Sequence, residues 1–99
     1  MGTASFSVGS YGKNASRVVI SSEVVTSGAH TSSGTASNLS DGSDIIMASG
    51  QLLQVHASVA MRIRFGGTAA TITTGHYIPA GEQREFECNA PGAVSIIDV

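Results

Sequence analysis

Three histidines, one cysteine and seven acidic residues are the side chains here that could hold a metal or move a proton. His30, His56 and His76 each stand alone. No pair has the i, i+4 spacing with which a helix brings two imidazoles to one zinc ion, and Cys88 has no second cysteine with which to share a metal. The spacing therefore reads as separate strand histidines. Asp41-Gly42-Ser43-Asp44 begins like a calcium loop but lacks the third oxygen position and the closing glutamate. Asp-Gly is also a strong two-residue turn signal, so a turn is the expectation. Gly12-Lys13 lacks the upstream glycine and following hydroxyl of a phosphate-binding loop, and no Gly-x-Ser-x-Gly elbow occurs. A Ser/His/Asp triad is made by geometry and needs no motif. A chain this short would nevertheless struggle to supply both a triad and a substrate cleft. Cys88 falls on the same strand face as Phe86, which suits a small core residue better than a nucleophile. These residues predict no enzyme, no cofactor and no metal. Asn14-Ala15-Ser16 and Asn38-Leu39-Ser40 match the glycosylation sequon, a pattern common by chance, and are discounted with no signal peptide in view.

The elements that would position any such group must come from a single domain of 99 residues. With aromatic content of 5% and no tryptophan, its core must rest on Val, Ile, Leu and Met. Charged residues make up 12% and the net charge is -2, too few for an acidic disordered tail and too little positive charge for a nucleic-acid binder. One cysteine rules out an internal disulfide framework. Met1-Gly2-Thr3-Ala4-Ser5 has neither basic nor apolar signal-peptide character, and Phe6 stands where a myristoylation signal wants Ser or Thr. Apolar runs are far too short for a transmembrane helix. The expectation is a soluble product made and assembled in a cell, with no membrane and no nucleic-acid partner.

Strict alternation marks the strands. Met61, Ile63 and Phe65 share one face, with Arg62 and Arg64 on the other, before Gly66-Gly67 ends the run. Leu53, Val55 and Ala57 alternate with Gln54 and His56. Arg84, Phe86 and Cys88 alternate with Gln83, Glu85 and Glu87. Val94 and Ile96 share a face of the closing segment. Ile63, Phe65, Phe86 and Val94 are thus the predicted core. Residues 17–26 read as a strand with a bulge near Ser21-Ser22, and Ile45-Ile46-Met47-Ala48 as a short one. About seven or eight strand candidates and no long helical period predict an all-β chain: a small antiparallel β-sandwich of jelly-roll or immunoglobulin-like type. Residues 1–16 read as a flexible N-terminal arm or edge strand, residues 17–99 as the sandwich, and residues 27–44 as a long Ser/Gly/Thr-rich loop. Were the strands of Arg62/Arg64 and Glu85/Glu87 neighbours, cross-strand ion pairs would follow. The sharper reading places Arg62 and Arg64, with Phe6, Val8 and Tyr11 of the opening segment, at an interface between subunits.

The segment Arg62-Ile63-Arg64-Phe65-Gly66-Gly67-Thr68-Ala69-Ala70-Thr71, then His76-Tyr77-Ile78-Pro79-Ala80-Gly81-Glu82 and the closing Val94-Ser95-Ile96-Ile97, resembles small virion proteins of tailed bacteriophages. The shared features are a strand ending Phe-Gly, an Ala/Thr-rich crossover, a Tyr-x-x-Pro-Ala turn, a strand carrying Glu and Phe, and a closing aliphatic strand. The resemblance covers the C-terminal part only and supplies no catalytic residue. It implies a structural role in the virion, foremost as a capsid decoration (cement) protein bound across seams between subunits of the major capsid protein. It also implies a homo-oligomer, with a trimer favoured, assembled in the host cytoplasm. The alternative is a binding module, a tip or fibre domain that recognises a host surface or a carbohydrate. A groove with clustered aromatics would favour it.

Overall fold

The computed structural model describes the backbone of residues 1–14 and 17–99, and the side chains of residues 1–9 and 26–99. Among the described residues the chain forms ten strands and no helix: β1 Gly2–Asn14, β2 Arg17–Ser32, β3 Ser37–Asn38, β4 Ile46–Met47, β5 Gln51–Ala57, β6 Met61–Arg64, β7 His76–Ile78, β8 Gln83–Glu87, β9 Gly92–Ala93 and β10 Ser95–Asp98. Two four-stranded sheets, ordered β2-β1-β5-β8 and β3-β10-β6-β7, make a small antiparallel sandwich, and β4 pairs with β9 as a two-stranded patch. β4 is the short strand expected at residues 45–48, and β3 and β9 are two-residue pieces, too short to show a period. No described helix is long and apolar enough to cross a membrane.

The alternating runs bury the faces they predict. Ala4, Phe6, Val8, Leu53, Val55, Ala57 and Cys88 of the first sheet share one core with Met61, Ile63, Ile78, Val94 and Ile96 of the second. Leu39, Ile45 and Met47 complete it, with Leu39 N–H donating to the Val94 carbonyl at 2.8 Å and Ile45 N–H to the Leu39 carbonyl at 3.0 Å. Of the predicted core, Ile63 and Val94 are fully buried, while Phe65 and Phe86 are only partly buried and pack against its margin. The reason is position. Phe65 lies one residue past the end of β6, and β8 is the last strand of its sheet.

The opening segment is not an arm, and over residues 4–10 it is not an edge. Residues 4–10 of β1 pair with β5 on one side while β1 pairs with β2 on the other, so β1 is an interior strand. The alternation of Phe6 and Val8 signalled the strand; its two-sided pairing depends on a partner some fifty residues away. The register of β2 against β1 shifts between Val8 and Gly9 and again before Tyr11, which pairs with Ile20, so extra residues of β2 fall in the region where a bulge was expected. The predicted loop 27–44 is also shorter than expected: β2 runs on to Ser32, and β3 interrupts what remains. Small polar residues read as loop, yet here the β1 ladder satisfies their backbone. The Asp41-Gly42 turn forms, with Gly42 at φ 118, a value that suits glycine, and a bridge pairing Ser40 with Asp44.

The second sheet has a covered outer face. Arg62 donates from Nε to the Ile72 carbonyl at 3.0 Å and from Nη1 to the Gly75 carbonyl at 2.9 Å. Buried Ser95 accepts at Oγ from Ala70 N–H at 3.0 Å. The segment 66–75 is thereby pinned over β6 and β10. This is why Val94, Ser95, Ile96 and Ile97 are all buried instead of alternating.

Leu53→Ala should cost about 2–5 kcal/mol in urea unfolding, as expected for a fully enclosed side chain. Phe86→Ala should cost about 2 kcal/mol, less than the roughly 3–5 kcal/mol of a fully buried ring. A loss at Phe86 equal to or above that at Leu53 would place the ring inside the core instead of at its margin.

Candidate functional site

Two features stand outside the core, an aromatic groove and the two-stranded end of the β1–β2 ladder. The groove forms because β6 and β8 belong to different sheets and both present a phenylalanine near the same side of the sandwich. Its lining is Ile63, Arg64, Phe65, Gly75, His76, Phe86, Glu87, Asn89 and Ala90, and its volume is about 470 Å³. The ring centroids of Phe65 and Phe86 are 5.1 Å apart, those of His76 and Phe86 5.4 Å and those of Phe65 and His76 6.5 Å, all tilted. Separations of this size are favourable for edge-to-face packing. β7 begins at His76, opposite Ile63, so Arg64 and Phe65 lie beyond its cover.

Gly75 sets the wall. Its φ is +127, and a Cβ there would sit 2.8 Å from the Ile63 carbonyl oxygen, so only glycine lets the returning chain lie this close to β6. Arg62 clamps the same residue through its carbonyl and lies with its Cζ 5.4 Å from the Tyr77 ring centroid. Beside the rings of Phe65, His76 and Phe86 stand Arg64, Glu87 and Asn89.

The two-stranded end of the ladder is the other outlying feature. β1 pairs with β5 only as far as Ser10, yet pairs with β2 through Tyr11↔Ile20, Gly12↔Val19, Lys13↔Val18 and Asn14↔Arg17. Those last residues make a ribbon of two strands, about 13 Å long at ordinary strand rise, with no third strand paired to it among the described residues.

The expected interface residues separate. Phe6 and Val8 are 5% and 2% exposed and face the core, because the phase that makes them strand residues also turns them inward. Tyr11 belongs to the ribbon, but its side chain lies outside the described residues. Arg62 is spent within the chain, on the segment 66–75. Arg64 reaches the groove. β6 and β8 lie in different sheets, so Arg62/Arg64 and Glu85/Glu87 are not ladder neighbours; a surface ion pair joins Arg84 of β8 to Glu82 at 3.2 Å.

The histidines fall on three separate elements. His56 is exposed on the outer face of the first sheet, beside a polar hollow with Ser5, Ser7, Ser27, Gln54 and Gln83. His30 lies between Ser37 Oγ, 2.9 Å from Nε2, and Ser40 Oγ, 3.4 Å from Nδ1. This is a serine–histidine contact that sequence spacing did not suggest. Hydroxyls meet both ring nitrogens and no carboxylate orients the ring, so it acts as a cross-link from β2 to the segment after it. Thr26 with Asp41, and Asn38 with Asp44, tie the same segment down. Among the described residues, no three His, Cys, Asp or Glu side chains gather in a way that holds a metal ion. The groove residues that sequence reasoning left apart are His76 and Asn89. His76 opens β7 and Asn89 lies past the end of β8, so neither stands inside an alternating run that would assign it a face.

Gly75→Ala should destabilise the fold by about 1–3 kcal/mol, from a strained φ together with contact against the β6 backbone. Gly67→Ala, at φ +77 but with open space around its Cβ, should cost about 1 kcal/mol from strain alone. Thermal or urea unfolding of both variants checks this, and equal losses would mean that the approach of Gly75 to Ile63 is not a constraint.

No family model matches this chain, and neither a curated protein nor a solved structure matches it.

Proposed function

We propose that the chain is a structural protein of a tailed-bacteriophage virion, a capsid decoration protein that binds across seams between capsid subunits. The observation that supports this reading is the β1–β2 ribbon. A two-stranded ribbon is marginal by itself in water. This one carries Arg17-Val18-Val19-Ile20 beyond the stretch of β1 that β5 covers, where no third strand is paired among the described residues. A partner surface that covers it supplies the missing contacts. A small core and a surface poor in charge point the same way, since a thin domain gains most from subunit contacts and charge is what usually keeps sheet edges apart. Copies on the shell then add stability by mass action for as long as the sites stay filled. The same contacts favour a homo-oligomer, with a trimer suiting threefold positions of a shell.

A second reading, a recognition module, is favoured by the groove of Phe65, His76 and Phe86. It requires only that an external ligand enter that groove, and it is compatible with a place on a virion tip or fibre.

Two measurements test the first reading. Sedimentation of the purified chain should give an oligomer, and a variant whose ribbon (residues 11–20) is replaced by a tight turn should give a folded monomer that keeps a β-type circular dichroism spectrum and cooperative unfolding. Mass spectrometry of purified phage particles should find the chain in stoichiometric amount. A chain that sediments as a monomer at every concentration and is absent from particles would remove the decoration reading.

A further inference from the structure

We propose that the hollow at the root of the ribbon is where a second copy of this chain docks the end of its own ribbon, an inference that rests on the homo-oligomer proposed above. The hollow lies where β1, β2 and β4 come together. Its lining includes the buried Val8, Ile45 and Met47, the exposed Ile46, and two carboxylates, Asp41 and Asp44. Ile46 is 67% exposed, the most of any aliphatic side chain on a described strand, so an apolar surface stands open beside the two charges. Neighbours hold both carboxylates in place: the Thr26 hydroxyl donates to Asp41, and Asn38 Nδ2 donates to Asp44 at 3.0 Å. Both donors are neutral, so they fix the carboxylates without cancelling their charge, and a carboxylate can accept further hydrogen bonds.

Size and charge choose the occupant. A volume of about 200 Å³ is below the usual range of about 300–1,000 Å³ for ligand pockets and suits one or two side chains. Apolar surface beside two carboxylates fits an aliphatic residue next to a cation. The chain has five Lys and Arg residues. Arg62 is engaged with the segment 66–75, Arg64 lines the aromatic groove, and Arg84 pairs with Glu82. The other two, Lys13 and Arg17, both stand at the end of the ribbon, where Lys13 pairs with Val18 and Asn14 with Arg17. The ribbon therefore brings two cations together with Val18, Val19 and Ile20, the complement of what the hollow presents.

Reach decides that the ribbon comes from another copy. Val8 pairs with Thr26 at the root, and Asn14 lies about 20 Å further along β1 at ordinary strand rise. While the β1–β2 ladder holds, the end of a ribbon cannot turn back to the hollow at its own root. The contact joins two unlike surfaces, so it is head-to-tail. Contacts of this kind close into a ring when the rotation between copies allows it and run on as a filament when it does not. A ring of three is the closed form that suits the trimer proposed above.

Sedimentation of the full chain beside its charge variants tests the contact. Asp41→Asn with Asp44→Asn keeps both acceptors and removes both charges. It should weaken association about fivefold, as for the loss of two exposed ion pairs. Ile46→Ser alters an exposed side chain; it should weaken association as well and keep the melting temperature. Lys13→Glu with Arg17→Glu, and separately Asp41→Lys with Asp44→Lys, set like charges against each other and should give monomers. All four reversals in one chain restore opposite charges and should restore the oligomer, a rescue that a merely structural role of these residues would not produce. Circular dichroism and cooperative unfolding check each variant, and the Asn pair with Ile46→Ser decides the matter if a reversed variant fails to fold. An oligomer that no variant weakens, or folded reversals that dissociate it without rescue when combined, would overturn the contact and leave the homo-oligomer standing. A wild-type chain that is monomeric at every concentration would overturn both, and the decoration reading would then stand or fall on the chain's presence in particles.

Discussion

The structure depends on one shared core with no material to spare. Phe6, Val8, Leu53 and Val55 of one sheet meet Met61, Ile63, Val94 and Ile96 of the other, and no tryptophan stands in for several smaller side chains. Interiors of this kind are close-packed, so each aliphatic position carries a large share of a small total. Everything else follows from keeping those faces together. β1 has to lie inside its sheet because Phe6 and Val8 supply the core between β2 and β5. Leu39, Ile45 and Met47 have to fold back over it, which draws the polar segment after β2 onto the body through His30, Thr26 and Asn38.

The second sheet solves a different problem. Its closing strand is aliphatic on both faces, and an uncovered outer face would expose Ile97 to water. Segment 66–75 covers that side, and polar anchors more than apolar ones fix it there. Arg62 satisfies two carbonyls of the loop, and Ser95 accepts one of its amides. An arginine that looks like surface charge in the sequence thus works as a clamp. The cost of this arrangement is a close return of the chain at Gly75, and its by-product is the groove. Where β7 begins, the cover over β6 ends, and Phe65 is left half-exposed facing Phe86 and His76. Core economy and the candidate binding site are therefore two consequences of one chain path.

The two proposed readings would draw on separate parts of the molecule. The ribbon of β1 and β2 lies beyond the reach of β5, and the aromatic groove lies between β6 and β8. A protein held to a larger particle by one feature would still have the other free, so the structural and the recognition readings can hold together.

The amino-acid sequence by itself determined the strands that alternate, the turn at Asp41-Gly42 and the core role of Cys88. Those follow from local rules: a period of two assigns a face, and a residue pair such as Asp-Gly suits a tight turn wherever it occurs. Tertiary structure decided the neighbours. Alternation says that Phe6 and Val8 turn to one side, but not that β5 lies beside β1, a pairing that joins Ser7 to Gln54 across 47 positions. It placed Phe65 and Phe86 in correct phase but could not show that each lies at the margin of its sheet, where a ring is half covered and can meet a histidine. The role of Arg62 was hidden for the same reason, since its partners are backbone carbonyls, and every residue has one of those. Face is a property of a strand and can be read along it; contact is a property of two segments brought together, and only the closed sandwich brings them together.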